Sequence, residues 1–118
     1  MNPLVAEYKT LAPDSDSLPD HAVDNRRKLE IFPLLEKDID EPEVAQLLLE
    51  VLANPLEFDL ARIEAIKLVG IFVTESNSLC GNLRAQLLRI FSDENEDEML
   101  RGCAERYVRG RSWSPQAW

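Results

Sequence analysis

Between Ala65 and Val73 the only charged side chain is Lys67. A helix that is apolar almost all round must be covered on nearly every side. This run therefore demands a central helix with other helices wrapped around it, and the spacing predicts that helix over Glu57 to Thr74. The flanking segments supply the cover. Asp40-Glu41-Pro42-Glu43 reads as an N-cap with an acid three residues on and a proline in the first turn. Val44, Leu47, Leu48, Val51 and Leu52 follow at i, i+3, i+4 spacing until Asn54-Pro55 ends the helix. Leu79 to Phe91 carries Leu83, Leu87, Leu88 and Phe91 on one face. A last helix is expected from about Glu94 to Arg109, striped by Met99, Leu100, Cys103, Ala104, Tyr107 and Val108 and closed by Gly110. Upstream, Pro3 to Leu11 fits a short helix, and Ala12 to Asp20 is a loop with two prolines. His21 to Lys37 fits a helix capped by Asp20 and interrupted at Pro33. The expectation is an all-α chain of about five to six helices.

At 118 residues the chain suits one domain, 1–118, with one continuous core. Its net charge of −9 makes it a poor ligand for phosphate backbones, so no nucleic-acid partner is expected. A basic partner would be steered toward it. Cys80 and Cys103 lack metal spacing and read as reduced, buried thiols of a cytoplasmic protein. No apolar run approaches membrane-spanning length and no secretory signal is present. His21, the only histidine, reads as a surface residue at a helix start. No nucleophile setting and no glycine-rich phosphate loop is found, so neither enzyme activity nor a cofactor is expected.

The predicted helices pair through short polar turns, which invites a search for repeats. The stretch Ala61-Arg62-Ile63-Glu64-Ala65-Ile66-Lys67-Leu68-Val69-Gly70 aligns with the later stretch Leu100-Arg101-Gly102-Cys103-Ala104-Glu105-Arg106-Tyr107-Val108-Arg109. Each places an aliphatic residue before Arg, a small residue three after it and an apolar one seven after it. This pattern resembles the second helix of HEAT-like, armadillo-like repeats, and the interval from Arg62 to Arg101 fits the repeat length of that family. The resemblance spans about residues 40–109 and implies a short right-handed α-solenoid of antiparallel helix pairs. It divides the chain into a degenerate N-terminal repeat or cap (1–39), two repeats (40–74 and 79–109) and a tail (110–118). It also implies structural roles for Arg62 and Arg101, bonding across to the adjacent repeat.

In such a stack the turns within pairs share one edge. That edge would gather Glu57, Asp59, Asp93, Glu94, Glu96, Asp97 and Glu98, which form the candidate partner-binding site. Helix starts favour some acids but do not call for five in six residues. The run lacks the alternation and glycine of a calcium loop, so no metal is expected. A second acidic group, Glu36, Asp38, Asp40, Glu41 and Glu43, would lie on the opposite edge. Trp113 and Trp118, in the tail, either cap the last pair or contact a partner.

These features suggest a non-catalytic protein-binding module. In size, acidity and helical character the chain is similar to bacterial immunity proteins of contact-dependent and polymorphic toxin systems. That similarity implies an inhibitor that captures a basic toxin domain, such as a nuclease. The alternative is an adaptor or assembly protein that binds a peptide or subunit through its second helices and tail. A HEAT-like lyase is the enzymatic option, and a HEAT-like glycosylase would want a basic groove.

Overall fold

A computed structural model describes residues 2–11 and 19–110, without the side chains of residues 19–22 and 110. These residues form six α-helices: α1 (Pro3–Tyr8), α2 (Pro19–Leu35), α3 (Pro42–Ala53), α4 (Asp59–Phe72), α5 (Cys80–Ser92) and α6 (Glu98–Gly110). A 3-10 turn, Glu36–Asp38, follows α2. No strand occurs among the described residues. The chain is all-α, as its periodicity predicts. Trp113 and Trp118 lie outside the described residues.

The contacts fall into two rows. α3 packs between α1 and α5, and α4 packs between α2 and α6. The rows meet as consecutive helices: α1 on α2, α3 on α4 and α5 on α6. The molecule is accordingly a slab, 43 × 34 × 17 Å. α4 touches α2, α3, α5 and α6, which explains its apolar circumference. Ala61, Ala65, Ile66, Leu68 and Val69 are all buried. Its exposed stripe is short, carrying Leu60 and Ile71 with Glu64 and Lys67 half-buried between them. Gly70 marks the closest approach in the second row. A Cβ there would sit 2.3 Å from Cγ of Tyr107 on α6, so only glycine fits.

Several helix limits differ from expectation, for local reasons. α3 takes Glu41, not Asp40, as its N-cap, and no side chain caps it. The acids near this start bond elsewhere: Asn2 donates its backbone N–H to Glu43 (2.8 Å) and its amide to Asp38 (3.1 Å) and Glu41 (3.3 Å). Asn2 also accepts from the N–H groups of Leu4 and Val5, capping α1. α2 contains Pro33 and continues to Leu35 before tightening into the 3-10 turn. α6 starts at Glu98 rather than Glu94, because the preceding residues are held in a turn.

Both edges of the slab are made of adjacent turns. On one, the buried Asn77 side chain after α4 donates to the carbonyl of Ile39 before α3, at 3.0 Å. On the other lie the α3–α4 and α5–α6 turns, which carry the candidate site.

Candidate interaction edge

The two turns share one wiring, at the same interval that separates Arg62 from Arg101. Asn54 accepts from the N–H of Leu56 (3.0 Å), and Asp93 accepts from that of Asn95 (2.9 Å). The N–H of Glu57 reaches the carbonyl of Asn54, and that of Glu96 reaches Asp93. Each glutamate then accepts from the next N–H, that of Phe58 (2.8 Å) or Asp97 (3.3 Å). Side chains of the Asn/Asp type bend the chain locally in this way. The result is that both glutamates point into the fold.

Glu57 is therefore not at the surface, and the expectation that it faces a partner is corrected. It is 4% exposed. Its carboxylate pairs with Lys28 Nζ of α2 at 2.5 Å and accepts from the Tyr8 hydroxyl of α1 at 2.9 Å. Lys28 is itself fully buried and lies 5.6 Å from the Tyr8 ring centroid. Burial, and then the Glu57 charge, push the Tyr8 hydroxyl far above its ordinary pKa, so it stays a donor. Two buried charges are tolerable only when paired and hydrogen-bonded.

Glu96 is also drawn inward. It grips Arg62 in a two-bond fork, Oε1 to Nη1 and Oε2 to Nη2, both 2.9 Å. The bond from Arg62 chiefly holds this carboxyl below the usual range. Arg62 also donates from Nη2 to the carbonyl of Leu52 at 3.0 Å, satisfying a carbonyl at the end of α3. Arg62 thus bonds both within its own pair and across to the next. Arg101 departs from the expected cross-repeat bond. Its Nε donates at 3.3 Å to the carbonyl of Phe91 in its own pair. Leu52 and Phe91 hold the same position in the chain relative to their arginines.

The other expected acids stay on the edge. Asp97 caps α6, accepting from Met99 (2.9 Å) and Leu100 (3.3 Å). Asp93 is half-buried, with Arg89 Nη1 3.7 Å away. Asp59, Glu94, Asp97 and Glu98 are exposed. Between them stand apolar side chains that a charge-based reading misses. Leu56 is 70% exposed, Leu60 44% and Met99 63%. Leu60 and Met99 are each the second residue of their helix, α4 and α6, at the interval that separates Arg62 from Arg101. Each directly follows an exposed acid, Asp59 or Glu98. The repeat alignment, extended back over the turns, would have revealed this pairing.

Among the described residues no three His, Cys, Asp or Glu side chains gather as a metal site. Cys80 is buried and Cys103 half-buried, both unbridged, and burial pushes both thiols up. The His21 side chain lies outside the described set. No described helix is long and apolar enough to cross a membrane. Compared with known protein families, curated proteins and solved structures, the chain matches none.

Proposed function

We propose that the chain is a non-catalytic binding module that captures a basic protein domain through the edge formed by the α3–α4 and α5–α6 turns. The observation that carries this reading is the placement of Leu60 and Met99. Equivalent positions on adjacent pairs leave large apolar side chains in water, each beside an acid. An apolar centre with a polar rim is the anatomy of a protein-binding patch. The rim acids, Asp59, Glu94, Asp97 and Glu98, give it a sign that suits a cationic partner. The net charge of −9 extends that attraction over a longer range. An immunity or inhibitor protein against a basic nuclease toxin is the concrete form of this function. The HEAT-like reading is supported by the two helix rows and by turns wired alike at the interval of the two arginines.

The adaptor reading shares the surface but weights it differently. Leu56, Leu60 and Met99 favour it, because apolar anchors hold a peptide or subunit without charge steering. Salt separates the two. Partners captured from a lysate of the source cells by wild-type chain and by the Leu60→Asp/Met99→Asp variant would be compared at low and high salt. The inhibitor reading expects a basic protein, lost from the variant and weakened by salt, whose nuclease activity the wild-type chain suppresses. A partner retained equally by both forms would overturn the edge as the binding surface. A variant-sensitive, salt-insensitive partner would favour the adaptor.

A further inference from the structure

The first two second-row helices each carry a cation bonded to the next pair. On α2 it is Lys28, closed by Glu57 from the α3–α4 turn. On α4 it is Arg62, closed by Glu96 from the α5–α6 turn. Both acids stand two positions before the first residue of the following helix. On α6 the corresponding residue is Arg101. It keeps the first half of the Arg62 pattern, the bond to the carbonyl of its own pair. Its Nη1 and Nη2 groups meet no carboxylate among the described residues.

Beside Arg101 is a groove of about 360 Å³ lined by Phe91, Glu98, Arg101, Gly102 and Glu105. One repeat earlier, these positions are Leu52, Asp59, Arg62, Ile63 and Ile66. The groove is thus the counterpart of the surface on which the third pair sits. Its chemistry has changed in one direction. Ile66 is replaced by Glu105 and Ile63 by Gly102, while the arginine is retained. Glu105 lies 3.6 Å from Arg109 on the same helix, while Arg101 and Glu98, both lining the groove, have no ion-pair partner among the described residues. No heavy atom lies within 4 Å of where a Gly102 Cβ would stand, so a partner backbone has room to approach. The loss of apolar side chains fits a face that meets water when unbound.

We infer that this groove seats a helix start of a partner protein, presenting a carboxylate to Arg101 as the α5–α6 turn presents Glu96 to Arg62. The occupant is defined by continuity with the two joints inside the molecule. It is an acidic turn of the Asp-x-x-Glu form running into a helix, not an apolar helix face. The polar groove makes the contact reversible, and its specificity rests on the two-bond guanidinium–carboxylate fork. The groove adjoins the acid-rimmed turn edge, sharing Glu98 with it, but the inference does not depend on what that edge binds.

The test uses the full ¹⁵N-labelled chain and a capped synthetic peptide copying residues 93–102. Arg101 Nε–H and the Gly102 amide are followed by NMR. The expected result is saturable shifts at these two groups. A peptide with Gln in place of its Glu96-equivalent should bind at least about ten-fold more weakly, a difference of ~1.4 kcal/mol. Gly102→Glu should abolish the shifts at Arg101 without lowering the melting temperature, since a side chain there meets open space and replaces a helix-interior glycine. Arg101→Gln should abolish binding too, although it also removes the bond to Phe91. Equal binding of the Glu and Gln peptides would overturn the inference, as would binding retained in Gly102→Glu. So would shifts confined to the turn edge, or no shifts up to about 2 mM peptide, a range that covers affinities of ~4 kcal/mol.

Discussion

The α3–α4 and α5–α6 turns are built alike but meet different surroundings. Each uses an Asn or Asp to bend the chain and aims a glutamate inward just before a helix. Glu57 is closed over by α1, whose Tyr8 donates to it, so the joint with Lys28 lies within the core. Glu96 has no such lid. Its side chain remains 11% exposed, and the acids around it face water. The same local sequence device therefore serves the core in one turn and stands among exposed acids in the other. Position in the stack decides which.

The largest expected effect is at the covered joint. Glu57→Ala leaves Lys28 buried and unpaired and should cost about 3–5 kcal/mol in urea unfolding. Replacing both partners, Lys28→Met with Glu57→Leu, should recover part of that loss, since it removes the unpaired charge but leaves the Tyr8 hydroxyl without its acceptor. A double variant as unstable as Glu57→Ala would show that the lysine is needed for more than its charge.

Gly70→Ala tests the packing of the second row. Its Cβ collides with the Tyr107 ring, and the expected loss is about 1–3 kcal/mol. Tyr107→Ala in the same background should relieve the collision, seen as a smaller effect of the glycine substitution there.

The open joint should respond to acid. Glu96 has its folded pKa depressed below the ordinary value of 4.5, so its contribution is fully present above that value. It is lost as pH falls through the lower, folded value. Glu96→Gln should destabilise the chain at neutral pH, and the gap from wild type should close in acid. A gap that stays constant with pH would show that the fork with Arg62 does not depend on the charge of Glu96. The smallest stability effects lie on the edge itself. Asp97→Ala removes a helix cap and should cost about 1 kcal/mol. Asp59→Asn and Glu94→Gln should change stability by less than about 0.5 kcal/mol.

The helices were legible because their apolar residues recur at helical spacing, and α4 announced its central place by having only one charge between Ala65 and Val73. The interval between the two like-wired turns was legible in the second helices through Arg62 and Arg101. The fate of individual acids was not. Lys28 and Glu57 are far apart in the chain, and nothing local distinguishes Glu57 from a solvated turn residue. The signal lay in the repeat frame, where Asn54-x-x-Glu57 and Asp93-x-x-Glu96 coincide. The first third was hard to place because Lys28 does the work of Arg62 at a shorter interval than the one from Arg62 to Arg101. Exposed Leu60 and Met99 were hidden for a related reason: a first-turn apolar residue reads as core until the direction of the helix is known.

In both joints a glutamate folded back from a turn ties one helix pair to the one before it. A double-mutant cycle on Arg62 and Glu96, with Arg62→Gln and Glu96→Gln measured singly and together by urea unfolding, tests this most directly. A buried two-bond pair predicts a coupling energy of about 1.5–3 kcal/mol. A coupling below about 0.5 kcal/mol, the size found for exposed ion pairs, would contradict it.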